Sequence, residues 1–229
     1  MLAQCRAHLR TLDRRRQPQE SAEAARGLGN NLIGVAGGDT AIPRYTEAVS
    51  VLGEAIDASA TGTVPLFRAA LGKMRGEALY RHGILLEGDS RGFMLADAAN
   101  TLADAMELVQ PHENRELWME AATFRGAALH ELGRLKAGPE GLAWMDEAAT
   151  CFAEIAEYGA DNGVHPIGLY NRYAVLEQRG RRTEGIARNA ILQQARIALV
   201  EALQTEPFAG RPEMAAHLSE LDALIAISG

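Results

Sequence analysis

The chain has 229 residues, of which 47% are apolar and 5% aromatic, and its formal net charge is −7. An acidic chain with few aromatics lacks both a broad basic face and stacking platforms, so we do not expect nucleic acid as a partner. No stretch approaches the ~18 consecutive apolar residues of a membrane span, and arginines interrupt any leader-like start, so we predict a cytoplasmic protein with no membrane contact.

The predicted elements are all helices, because β-branched runs are nearly absent and alanine is frequent. An N-terminal helix is predicted over about residues 2–15 of a basic segment 1–16, with Leu2, Cys5, Leu9 and Leu12 on one face, and residues 17–20 form a polar linker. A last helix over about 213–227, within segment 212–228, carries an apolar stripe typical of a solenoid cap. The helices between them are predicted over about residues 21–36, 43–58, 66–82, 92–109, 115–132, 140–158, 167–179 and 184–205.

Four windows within residues 20–205 align without a gap at offsets of 47–50 residues. They begin at residues 46, 96, 146 and 193. An alanine in each is followed four residues later by a large apolar side chain and then by a carboxylate. These positions are Ala48, Ala98, Ala148 and Ala195; Leu52, Leu102, Phe152 and Leu199; and Glu54, Asp104, Glu154 and Glu201. Such self-similarity predicts stacked two-helix units that share one core.

A second pattern precedes the last three windows, and its final glycine predicts where each first helix ends. A glycine there accepts the left-handed conformation of a helix C-terminal cap. The copies are Arg75, Gly76, Leu79 and Gly83; Arg125, Gly126, Leu129 and Gly133; and Arg172, Tyr173, Leu176 and Gly180. The first copy is looser, with Gly29, Leu32 and then Gly37 or Gly38.

The order of small and large residues in these helices resembles the tetratricopeptide-repeat superfamily. Gly76, Leu79, Gly83, Ala98, Leu102 and Ala105 match its small-large-small arrangement, although the spacing here is longer than the family's ~34 residues. The resemblance implies a right-handed α-solenoid of four helical hairpins with N- and C-terminal capping helices. We therefore predict a single domain over residues 1–229.

The sequence contains no recognisable catalytic motif. His130-Glu131 begins a string like that of zinc proteases, but Arg134 stands where the second histidine is required. Gly27 and Gly29 lack the third glycine of a dinucleotide fingerprint. We predict no catalytic residue, no metal site and no cofactor, and hence a protein that is not an enzyme.

Arg75, Arg125 and Arg172 occupy one repeat position and predict a ladder along the stacked first helices. Guanidinium groups bind carboxylates and phosphates in a bidentate manner, so the ladder could hold a small anionic ligand. Alternatively, each arginine pairs with the carboxylate ladder of the second helices, which contains Glu47, Asp97 and Glu147. Both interpretations remain open from the sequence.

The leading functional hypothesis is a scaffold or adaptor that binds another protein or a peptide, such as an acidic one, on the surface of the first helices. Homo-oligomerisation through the terminal helices is the alternative, beside the anionic-ligand sensor. The candidate contacts are Lys73, Met74, Arg75, Arg81, Phe124, Arg125, Tyr170, Asn171, Arg172 and Gln178.

Overall fold

We analysed a computed structural model, which describes residues 1–14, 16–59, 64–158 and 165–227. Across these ranges the chain is all-α, as predicted, and no strand occurs in them. A short 3-10 turn at Gly38–Thr40 precedes the third helix. The helices are α1 (Leu2–Thr11), α2 (Pro18–Gly34), α3 (Ala41–Ala58), α4 (Pro65–Gly83), α5 (Gly88–Glu107), α6 (Arg115–Leu135), α7 (Gly138–Tyr158), α8 (Pro166–Arg182), α9 (Ile186–Leu203) and α10 (Pro212–Ile227).

The N-terminal boundary differs from its prediction. Helix α1 ends at Thr11 because Asp13 starts a turn instead, with its carbonyl oxygen accepting hydrogen bonds from the amides of Arg16 and Gln17. The predicted end at residue 15 lies outside the described residues. Residues 17–20 are not a linker, because Pro18 begins α2. Proline suits the first helical position, where its fixed φ fits and its missing N–H would have no helical partner.

The repeated alanines and large apolar residues form equivalent parts of the core. Ala48, Ala98, Ala148 and Ala195 are all 0% exposed. The large residues that follow them, at positions 52, 102, 152 and 199, are no more than 3% exposed. The interior positions of the sequence repeat are therefore buried in all four hairpins.

The glycines at the ends of the first helices do not act as left-handed caps. Gly83 is the last residue of α4, and Gly133 and Gly180 lie inside α6 and α8. A Cβ on these glycines would approach the side chains of Leu95, Met145 and Leu192 to 3.2, 2.6 and 2.5 Å, respectively. They are glycines because the second helix of the hairpin packs closely there. Left-handed glycines follow five residues later, at Gly88, Gly138 and Gly185, where the second helix starts. In the first hairpin the left-handed glycine is Gly38, in the 3-10 turn before α3.

The chain forms two compact units, residues 1–128 and 129–229, whose boundary falls inside α6. In the first unit, consecutive helices from α1 to α5 pack against one another, and α2 also touches α4. In the second unit, α7 packs on α8, α8 on α9 and α9 on α10. Met214 and Leu221 of α10 are buried, as the predicted apolar stripe requires.

Candidate functional site

A polar depression opens on the first unit between α2 and α4. Its volume is about 550 Å³, and Asn30, Asn31, Glu77 and Arg81 supply its polar lining. The amide group of Asn31 donates to the carbonyl oxygen of Gly27 at 2.8 Å. The remaining wall is formed by Ile33, Gly34, Val35, Ala36 and Tyr45. The depression thus presents amide, carboxylate and guanidinium groups beside an apolar wall.

Glu77 organises the charges at this site. Its side chain is only 14% exposed and accepts a hydrogen bond from Nε of Arg81 at 2.8 Å. Nζ of Lys73 lies 3.7 Å from Glu77 and 2.7 Å from Glu120 of α6. Because Glu77 contacts both Lys73 and Arg81, contacts within the protein hold these charges in place and no ligand is needed to arrange them.

An aromatic pair completes this surface. The guanidinium carbon of Arg81 lies 5.5 Å from the centroid of the Phe124 ring, within the range of a cation–π contact. The rings of Tyr80 and Phe124 are 5.8 Å apart. The structure therefore brings Lys73, Arg81 and Phe124 together, three of the predicted contacts.

Two other predicted contacts of the first unit are used inside the protein. Met74 is 8% exposed and belongs to the core, so a surface contact at Met74 is wrong. Arg75 donates to Asp97 at 3.0 Å and to the hydroxyl of Thr101 at 2.9 Å. For Arg75 the internal ion pair is thus the observed arrangement. Arg125 is half-buried.

The predicted contacts in the second unit lie along α8 and have separate partners. Tyr170 stacks on Phe208, with ring centroids 4.9 Å apart. The side chain of Gln178 is 3.0 Å from Nε2 of His130, whose pKa is lowered by burial. Asn171 and Arg172 are half-buried.

Arg172 is exceptional among the ladder arginines. Within the described part of the chain it makes no ion pair or side-chain hydrogen bond. Its hairpin has Gln194 and Ala198 at the positions equivalent to Asp97 and Thr101, so the carboxylate is replaced by a neutral amide and the hydroxyl is lost. The ladder is therefore not a uniform set of ligand-binding groups.

Sequence reasoning missed Asn30, Asn31 and Glu77. A signal for the two asparagines was present, because asparagine is a weak helix former and two in succession inside a helix are costly without another use. Glu77 has no such signal, since glutamate is ordinary on a helix surface.

The described residues contain no metal-binding cluster and no membrane-spanning helix. Among the described residues, no group of three or more His, Cys, Asp and Glu side chains is arranged to hold a metal ion. None of the described helices combines the length and apolar character needed to cross a bilayer. No protein-family model matches the chain, and no curated protein shows significant similarity to it.

Proposed function

We propose that the protein is a non-enzymatic scaffold or adaptor of the tetratricopeptide-like kind, which binds a segment of another protein at the polar depression of its first unit. The observation that carries this proposal is the depression between α2 and α4, with Asn30, Asn31, Glu77 and Arg81 around it. Asparagine amides offer both a donor and an acceptor, so they can pair with the backbone of an extended peptide.

The proposed architecture is a right-handed solenoid of four hairpins, with α1 and α10 as its caps. Three observations support it. The left-handed glycines recur at the start of each second helix, the repeated alanines are equally buried, and α4 packs against both helices of the preceding hairpin. Repeat stacking of this kind produces extended binding surfaces. We further propose a cytoplasmic location, which fits the thiol form of Cys5 and Cys151, neither of which forms a disulfide bond.

Site-specific photo-crosslinking tests the proposed function. A photoreactive residue is introduced at Asn30 in the full chain, and a matched one at Asp104, an exposed position on α5 away from the depression. Both are irradiated in lysate of the source organism, and the cross-linked segments are identified by mass spectrometry. We expect one protein segment to be captured at position 30 and not at position 104.

Charge reversal then tests whether capture at position 30 depends on the residues of the depression. Arg81→Glu places two carboxylates in contact and removes the cation over Phe124, so it should abolish capture at position 30. Glu107→Lys, an exposed charge reversal on α5, should leave capture unchanged. The proposal fails if both probes capture the same proteins, or if Arg81→Glu has no effect.

A further inference from the structure

Tyr45 differs from its equivalents in the later hairpins. Leu95, Met145 and Leu192 occupy the same position of the repeat, each is 0% exposed, and each faces a glycine of the first helix. Packing at this position therefore requires no polar atom. In the first hairpin the glycine is replaced by Ile33 and the apolar residue by Tyr45, and both line the polar depression. The hydroxyl of Tyr45 is thus an addition to the repeat at the place where the depression opens.

This hydroxyl has no partner inside the described part of the protein. Tyr45 is only 7% exposed, yet its hydroxyl makes no hydrogen bond with any described residue. A buried tyrosine ordinarily finds a partner for its O–H, because a desolvated donor without one is costly. Since Tyr45 lines the depression, a bound molecule can supply the missing acceptor. The strongest such acceptor is an ionised oxygen.

Arg81 brings further unused donors to the same depression. Its Nε donates to Glu77 at 2.8 Å, and its guanidinium carbon lies 5.5 Å from the centroid of the Phe124 ring. Nη1 and Nη2 make no hydrogen bond among the described residues. One edge and one face of the guanidinium are therefore held, while its two terminal nitrogens stay available. A guanidinium held in this way loses little side-chain entropy when an anion binds to it.

The charge of the lining favours an anion with a single negative charge. Of the residues that line the depression, Glu77 and Arg81 carry opposite charges that cancel. A dianionic phosphate bound to Arg81 would be repelled by the neighbouring carboxylate of Glu77. A carboxylate brings one charge and two oxygens, which match the two terminal nitrogens of Arg81.

We propose that the depression recognises an aspartate or glutamate side chain of the bound segment, and that Arg81 and Tyr45 donate to its carboxylate. The backbone of the segment pairs with Asn30 and Asn31 of α2, and the acidic side chain reaches toward α4. This inference rests on the proposed function, because it names the group that the depression selects within the bound segment.

A positional-scanning peptide library tests this inference on the full chain. Each sub-library contains fluorescent heptapeptides with acetylated and amidated ends, one fixed central residue and mixed neutral residues elsewhere. Binding is measured by polarisation. We expect sub-libraries with a central Asp or Glu to bind about tenfold more tightly than those with Asn or Gln, which have a similar size and no charge. This preference should weaken as salt is raised.

Two further arms separate an acidic side chain from related anions. A central phosphoserine should bind no more tightly than a central Asp, and a free C-terminal carboxylate added to the Asn sub-library should not restore binding. Tighter binding of phosphoserine would make phosphate the recognised group. Recovery by the free C-terminus would make a chain end the recognised group, and either result overturns the inference.

Tyr45→Phe is the sharpest variant, because it removes only the hydroxyl. It should weaken binding of the Asp and Glu sub-libraries by about tenfold and leave the Asn and Gln sub-libraries unchanged. Since this hydroxyl has no partner among the described residues, urea unfolding of the ligand-free variant should show no loss of stability. Tyr158→Phe, at an exposed position of α7, is the matched control and should not change binding. Arg81→Lys keeps the charge but loses the paired donors, so the preference for an acidic centre should fall.

The outcomes separate this inference from the proposed function. If peptides bind the wild-type chain without preference for an acidic centre, the inference is overturned and the proposed function stands. The same holds if Tyr45→Phe binds the acidic sub-libraries as tightly as the wild-type chain does. If no sub-library binds, the inference is overturned, and photo-crosslinking at Asn30 alone decides the proposed function.

Discussion

The hairpins α4/α5 and α8/α9 share their buried contacts and differ in their charged ones. Gly83 meets Leu95 in the first as Gly180 meets Leu192 in the second. Yet Arg75 pairs with Asp97, whereas Arg172 has no ion pair within the described residues. Close packing tolerates little change in side-chain volume, whereas exposed charges contribute little to stability. The buried residues are therefore similar in the two hairpins, and the charged residues differ.

The seam between the helices shows one interior difference. Gly76 of α4 lies directly under Leu102, and a Cβ there would overlap that side chain. The equivalent residue of α8 is Tyr173, which is 8% exposed and turns its ring toward His217 of α10, with centroids 6.2 Å apart. Burial raises the pKa of Tyr173 to about 12. A terminal hairpin thus accommodates a large residue where an internal hairpin requires a glycine.

Gly76→Ala should have the largest effect of the changes considered. Overpacking against Leu102 costs about 1–3 kcal/mol, which outweighs the gain in helix propensity. Urea unfolding followed by circular dichroism measures the loss. Gly27→Ala is the matched control, because no atom lies within 4 Å of a Cβ there, and it should stabilise the chain by about 0.5–1 kcal/mol. Equal effects at the two glycines would refute the close-packed seam.

The sequence predicted the parts of the fold that depend on volume. Period and residue size located Ala98 and Leu102 in the core, because only small and large residues in alternation fill a helix seam. The left-handed glycine of each hairpin was harder to assign. Gly83 and Gly88 both stand near the turn, and only backbone geometry shows which one has a positive φ.

The candidate site was less predictable for a physical reason. Lys73, Arg81 and Phe124 were predicted as contacts on the surface of the first helices, and that role stays a prediction. They lie on α4 and α6, and both cations contact Glu77. Glu77, which joins the two cations, was missed because long polar side chains choose among several partners, and sequence spacing does not determine that choice.

Acid should destabilise the chain because it protonates His82 of α4, a histidine that has no equivalent in α8. Burial lowers the pKa of His82 below its usual 6.5, so the unfolded chain binds the proton more tightly. Its contribution to stability is present above pH 6.5 and is lost as the pH falls through the lowered pKa. The equivalent residue of α8 is Arg179, which pairs with Asp146 at 2.8 Å.

His82→Leu removes the titrating imidazole and should therefore reduce the slope of the unfolding free energy against pH. The core should accept leucine, because Leu132 occupies the equivalent site of α6 and is 3% exposed. Unfolding free energies between about pH 5 and 7.5 measure the slope. The half-buried His130 and His165, whose pKa values burial also lowers, keep their share of it. An unaltered slope in the His82 variant would contradict the assignment.

The ion pair of Arg75 with Asp97 should contribute a smaller amount. Both side chains are partly exposed, so a double-mutant cycle with Arg75→Met and Asp97→Asn should give a coupling of about 0.2–1 kcal/mol. The same cycle at Arg172 and Gln194 should give none. A coupling at the second pair equal to that at the first would show that the two hairpins do not differ in the way described.

Gln194→Glu should have the smallest effect and is the most direct way to remove the difference between the hairpins. It places on α9 a carboxylate equivalent to Glu47 and Asp97. Arg172, the equivalent of Arg75, is half-buried and makes no ion pair in the described part of the chain. We expect stabilisation of about 0.2–0.5 kcal/mol at low salt, and its loss at high salt. In an Arg172→Met background the gain should disappear, because the new carboxylate then has no cation to bind. A gain that persists in that background would mean that the carboxylate acts through another group, and Arg172 would no longer be the counterpart of Arg75.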